Sequence, residues 1–333
     1  MFKSISRYLW VLLLSSTLSS VSFAAPALSV LGKDYAFQNR IQGLPAKLSD
    51  FSGLSINFYK TKDGVKLAYW EAGSGKPLIF IPGWSANGAE YINVMYLLSK
   101  HYRVIVLDQR NQGLSDHVNF GNRIARYAMD LRELNEHLDI KLADYCGWSM
   151  GASVLWSYID LFGSEGIRKA IFVDEPISIV AHADWSEQER RDAGAFVDSP
   201  DALIKALQTP VLENPDPETT DFNARFKLRD SPYFSNSEGF AESVIRNDPT
   251  AMMRIMYNHA SADWRDVLRY KIRMPVAIFT GEYSTNLPSQ RWAHSVIPGS
   301  KLYVYTKAEQ GDHFLMFKNP FKFTQDLRNF LEH

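Results

Sequence analysis

Ser149 is the residue of this chain best equipped to do chemistry. It sits in Gly147-Trp148-Ser149-Met150-Gly151, the Gly-x-Ser-x-Gly spacing that lifts a serine hydroxyl to the apex of a sharp strand-to-helix turn. Such a nucleophile needs a strained backbone to stand clear of the sheet, and side chains two positions to either side would collide with the turn. The flanks agree. Leu142 to Trp148 is a short apolar run of strand character, and Gly151 to Phe162 reads as a helix with small residues in its first turn.

A serine hydroxyl is a weak nucleophile at neutral pH and needs a base. His313 fills that role best. Gly311-Asp312-His313-Phe314 follows the last apolar run and precedes a terminal helix, Phe321 to Leu331, which sets an imidazole on a loop at the strand ends. His137 falls within a charged helix and His101 within a short helix-to-strand connection, so both read as solvated surface. His117, on another loop after a strand, is a weaker rival. Cys146 reads as a packed small apolar residue rather than a second nucleophile. The sequence has no His-Glu-x-x-His and no Cys/His cluster at zinc spacing, so neither a metal site nor a cofactor is expected. A tetrahedral intermediate would also need donors. The amide of Met150 is one, because a helix N-terminus leaves its N–H groups unsatisfied.

The elements that must hold these residues alternate. Ile56 to Lys60 and Val65 to Glu71 flank Lys62-Asp63-Gly64 like a hairpin. Pro77 to Ile81 and Arg103 to Leu107 are continuous apolar runs, which suit strands buried on both faces. Tyr91 to Lys100 and Tyr127 to Leu138 have helical spacing, and Lys169 to Val173, Pro275 to Thr280 and Lys301 to Thr306 are further strands. This is an α/β pattern, a mostly parallel sheet covered by helices. Strand signals stop over residues 177–262, which hold charged helical stretches such as Asp184 to Phe196 and a loop-like run, Thr209 to Asp221. That region reads as a cap inserted over the strand ends, where ligands bind in open α/β sheets. The core therefore divides into residues 51–176 and 263–333, preceded by an extension, 25–50, of unclear structure.

With Ile81-Pro82-Gly83-Trp84, Asp108-Gln109-Arg110-Asn111-Gln112-Gly113-Leu114-Ser115 and Gly311-Asp312-His313, the serine turn resembles the α/β-hydrolase family over nearly all of residues 51–333. In detail it resembles the branch of serine esterases and cofactor-free haloperoxidase-like hydrolases. The resemblance implies an eight-stranded, mostly parallel sheet with flanking helices and a mainly helical cap. It also implies a second oxyanion donor, the amide of Trp84. The family's usual acid would stand at Ser284, in Gly281-Glu282-Tyr283-Ser284, and serine cannot carry its charge. Some relatives supply the acid from the end of the sixth strand, here Asp174. Asp174 is therefore the expected acid, with Glu282 and then Glu175 in reserve. Asp108 to Ser115 reads as a structural turn beneath the pocket. Trp148 and Trp84 flank the site and would line an apolar acyl pocket, unless they are simply core.

With 46% hydrophobic and 22% charged residues, the 333-residue chain has material for one substantial core. A net charge of −1 offers no basic field for nucleic acid. One cysteine allows no internal disulfide. Lys3 and Arg7, the apolar run Leu9 to Leu14, and Ser22-Phe23-Ala24 before Ala25-Pro26 have the order of a secretory signal peptide over residues 1–24. The run is too short for a stable membrane anchor, which needs about 20 apolar residues, so a periplasmic or secreted protein is expected.

The chemistry expected is acyl transfer to water: a serine hydrolase acting on a small-molecule ester, or a lactone, thioester or amide, through an acyl-enzyme. Carbon–carbon bond hydrolysis and perhydrolysis run on the same residues and stay open. So does a non-catalytic ligand-binding homologue, which the missing aspartate at Ser284 would favour. A haloalkane dehalogenase is disfavoured, since it needs an aspartate where Ser149 stands. Substrate identity and oligomeric state are not encoded in any motif found.

Overall fold

In a computed structural model the described residues are 25–208, 231–244 and 247–333. The leader and the run Thr209 to Asp221 lie outside them. Eight strands form one sheet: β1 (Ser55–Lys60), β2 (Lys66–Ala72), β3 (Pro77–Ile81), β4 (Arg103–Leu107), β5 (Ala143–Trp148), β6 (Ile167–Val173), β7 (Val276–Gly281) and β8 (Lys301–Tyr305). Their spatial order is β1-β2-β4-β3-β5-β6-β7-β8. Only the pairings of β2 are antiparallel; from β4 onward every pairing is parallel.

Alternation along the central strands builds two apolar layers. Leu78, Phe80, Val104, Val106, Cys146, Ile171 and Phe279 face one of them, with the helices Ile92–Leu98 and Pro320–Glu332. Ile79, Ile81, Ile105, Tyr145, Phe172 and Ile278 face the other, with Ile124–His137 and Met150–Phe162. Because both faces are covered, these strands carry the unbroken apolar runs seen in the sequence.

The connection from β6 to β7 is helical where it is described, with Glu187–Ala193, Pro200–Gln208, Pro232–Val244, Pro249–Ala260 and Arg265–Tyr270. Local chemistry sets several of these starts. Ser186 and Glu189 form a reciprocal capping box, and Asp248 accepts from the Thr250 and Ala251 amides ahead of Pro249. Helix signals over Asp184 to Phe196 thus condense into a two-turn helix ended by Gly194. Among the described residues no helix is long and apolar enough to cross a membrane.

Residues 25–50, unclear in sequence, are ordered by distant partners. Ala27, Phe37 and Leu48 are buried, Pro26 bridges to Ser55, and Asn39 exchanges hydrogen bonds with Asn236 at 2.8 Å in both directions. Tyr35, Phe37 and Phe240 pack ring against ring, with centroids 5.0–5.6 Å apart.

Candidate active site

Strand β5 ends at Trp148 and a helix begins at Met150, leaving Ser149 alone at the turn with φ 52 and ψ −134. A side chain held in such a sparsely populated region costs on the order of 1–3 kcal/mol, which the surroundings must offset. The Ser149 amide donates to the Val173 carbonyl at 2.9 Å, and its own carbonyl accepts from Ala152 at 2.8 Å. The glycines have a steric reason. A β-carbon on Gly151 would overlap the Ile81 carbonyl, and one on Gly147 would lie 2.6 Å from the Ala152 Cα.

Register brings the partners to the same level. Trp148 pairs with Val173, so Ser149 and Asp174 leave adjacent parallel strands side by side. Val173 pairs in turn with Phe279, which sets Thr280 beside Asp174. His313, on the loop after β8, joins the two: its Nε2 lies 3.0 Å from Ser149 Oγ and its Nδ1 2.7 Å from Asp174 Oδ2. Asp174 is fully buried, with φ 49, and the imidazole is nearly so. His101, His117 and His137 are exposed.

A built shell surrounds the acid. Ser284 Oγ donates to Asp174 Oδ2 at 2.7 Å, Asn286 Nδ2 donates to the same oxygen at 3.1 Å and to the Asp174 carbonyl at 2.9 Å, and Thr280 Oγ1 donates to Oδ1. Burying a lone carboxylate is costly unless donors replace water. Here they do.

The loop after β3 passes against the nucleophile. A β-carbon on Gly83 would lie 2.9 Å from Ser149 Cβ, so the backbone leading into Trp84 runs beside the serine. Met150 opens the helix, so its N–H has no carbonyl one turn back within that helix. The indole of Trp84 donates to the Met252 carbonyl at 2.7 Å. Trp148, expected in a pocket wall, is 4% exposed; its indole donates to the His313 carbonyl at 2.7 Å and its ring packs at tilted or edge-on angles against His313, Phe314 and Phe317. It braces the histidine loop from the core side.

The chain's relatives can now be set against this geometry. The sequence profile described as alpha/beta hydrolase fold matches residues 76–314, most of the chain. The chain belongs to the α/β-hydrolase family. A non-heme haloperoxidase of Rhodococcus erythropolis is 24% identical over 83% of this chain and 99% of its own length. A pimeloyl-[acyl-carrier protein] methyl ester esterase of Vibrio vulnificus is 24% identical over 79% of this chain and 97% of its own length. Among solved structures, a bromoperoxidase from Bacillus anthracis superposes with a TM-score of 0.64 at 23% identity, covering 84% of this chain and all of that one. The last comparison bears on the fold alone.

In this α/β-hydrolase the reserve acids are engaged elsewhere. Glu282 is exposed and its carboxylate accepts from the Lys307 amide at 2.9 Å. Glu175 is buried and turned away from His313: its Oε1 lies 3.1 Å from His259 Nε2 and accepts from Ser153 Oγ at 2.9 Å. Asp108 to Ser115 is a knot. The Asp108 carboxylate accepts from Gly88 N at 2.6 Å, Leu114 N at 2.9 Å and Trp70 Nε1 at 3.1 Å, and burial pushes its pKa up to about 6. Burial likewise pushes the Cys146 thiol up, which keeps it protonated. Sequence reading missed the donors Thr280, Ser284 and Asn286. Ser284 was legible as a lost charge, but its hydroxyl was overlooked as a partner for a carboxylate on the neighbouring strand.

Proposed function

We propose that this protein is an exported serine hydrolase that cleaves a carboxylic ester or a related acyl bond through an acyl-enzyme. The observation that carries the reading is the continuous hydrogen-bonded line Ser149–His313–Asp174, at 3.0 and 2.7 Å, with the serine raised on a strained turn. Ser149 Oγ attacks the acyl carbonyl while His313 Nε2 takes its proton. The oxyanion is held by the amides of Met150 and Trp84. Collapse of the intermediate expels the alcohol, which leaves with the proton from His313. Water, deprotonated by the same nitrogen, then attacks the acyl carbon; the acid departs and Ser149 regains its proton. Asp174 holds the Nδ1–H tautomer and stabilises the imidazolium in both halves.

Its relatives support the general reading, since esterases are among them. The haloperoxidase relatives support a second acceptor on the same acyl-enzyme: hydrogen peroxide in place of water, giving a peracid. Export rests on the charged, apolar and small-residue order of residues 1–24.

A fluorophosphonate probe tests the core claim. Folded wild-type protein should be labelled at Ser149, and Ser149→Ala should take no label. An unlabelled, folded wild type would instead mark a ligand binder that has kept the fold. Acyl esters of graded chain length, run with and without peroxide, then separate the two acceptors.

A further inference from the structure

The loop that would carry the second oxyanion donor does little to hold itself. Between Pro82 and Asn87 the backbone bond within the loop is Ala86 N to the Gly83 carbonyl, a long 3.3 Å. Ser85 has φ 62, a left-handed conformation that a serine adopts only when its neighbours fix it. The clamps come from outside. Gln109 Nε2 donates to the Pro82 carbonyl at 2.7 Å, and Asp108 takes Gly88 N where the loop ends. The other two come from the β6–β7 insertion, and they grip the middle of the loop. One is the Trp84 indole bond to the Met252 carbonyl, at 2.7 Å. The other is Asn247, whose Nδ2 donates to the Ser85 carbonyl at 2.6 Å and to Ser85 Oγ at 2.8 Å. Its Oδ1 accepts from Gly113 N at 3.0 Å. One amide side chain therefore ties the loop after β3 to the turn after β4.

We propose that Asn247 is a positioning residue of the oxyanion site, so that the insertion sets the alignment of the Trp84 amide as well as covering the strand ends. Asn suits this task because its two ends do opposite things. The donor end meets a carbonyl and a hydroxyl, and the acceptor end meets an N–H. Rotating Ser85 out of its strained conformation would swing the Trp84–Ser85 peptide and, through the Trp84 Cα, shift the Gly83–Trp84 peptide that carries the Trp84 N–H. An oxyanion donor works at about 2.7–3.1 Å from the position the oxyanion takes, and losing one outright costs about 10²–10³ in kcat. Loosening one should cost less. The inference rests on the serine-hydrolase reading.

The test uses the full chain and an ester that the wild type turns over. Asn247→Asp keeps the acceptor for Gly113 N and loses the donor to Ser85. Asn247→Ala loses both. Trp84→Phe keeps an aromatic ring and removes the bond to Met252. Each should lower kcat by about 10–100-fold with KM changed less than about threefold. An alkyl boronic acid, which forms a tetrahedral adduct on the serine, should lose affinity in parallel with kcat. A merely structural role would instead lower the melting temperature or the active fraction and leave the boronate affinity of the remaining active protein alone. Unchanged kcat and boronate affinity in Asn247→Asp and Trp84→Phe would overturn the proposal, as would a loss confined to KM. Should the Asn247 variants not fold, Ser85→Ala, which removes the hydroxyl that Asn247 holds, decides with Trp84→Phe by the same two readouts. Failure of the underlying reading looks different: turnover by the wild type would survive Ser149→Ala.

Discussion

Asp174 is surrounded by side chains that donate to it: Thr280, Ser284, Asn286 and the imidazole of His313. That arrangement explains how a serine can stand at position 284. The carboxylate that meets His313 stands at the neighbouring strand end, and the Ser284 hydroxyl supports it. Asp174→Asn should therefore cut kcat by about 10⁴, the loss known for the equivalent change in serine proteases, because it gives the histidine the wrong tautomer. Glu282→Gln should leave kcat within about twofold, since its carboxylate is exposed and bonds to the Lys307 amide. Steady-state kinetics on one ester decides both, and reversed outcomes would move the acid to Glu282. Ser149 and His313 were legible because their local patterns carry steric and topological demands. Asp174 was legible only as a choice among carboxylates, because its place beside the histidine loop is fixed by strand register rather than by neighbours in sequence. Thr280, Ser284 and Asn286 lie 106 to 112 residues away from it, and no short motif marks them.

At the scale of elements, the strands and helices follow the periods visible in the sequence, and boundaries shift by a few residues. The terminal helix, for instance, begins at Pro320 rather than Phe321, with Asn319 as its cap. The turn from Asp108 to Ser115 was legible as structural, and its energetics make a pH prediction. Burial raises the Asp108 carboxyl from 3.8 to about 6 despite three donors. A raised acid is favoured protonated in the folded state, so its contribution is fully present below pH 3.8 and declines as pH rises through about 6. The stability of the wild type relative to Asp108→Asn should thus fall by about 2 kcal/mol between pH 4 and 6.5. Urea unfolding of both proteins across that range measures it; a flat difference would mean that the three N–H donors offset burial in full, and a rise that they outweigh it. The loop after β3 would feel the change first, since Asp108 holds Gly88.

Over the whole molecule, the least legible part was the segment 25–50. It has no strong period of its own, and its order comes from contacts with β1 and with the helix Pro232–Val244. It behaves as part of the core. Phe37, packed between Tyr35 and Phe240, should show this: Phe37→Ala should destabilise the protein by about 3–5 kcal/mol, read from denaturant midpoints at constant slope. A loss below about 1 kcal/mol would make the segment an ornament. The same helix that receives it ends shortly before Asn247, so the start of the described chain, the insertion and the loop after β3 form one connected structure.

That connection spans 197 residues, from Asn39 to Asn236. A ribosome adds about 5–20 residues per second, so Phe37 would wait on the order of 10–40 s, greasy and uncovered, before Phe240 is even synthesised. Until then the segment's rings lack the partner that covers them in the folded protein.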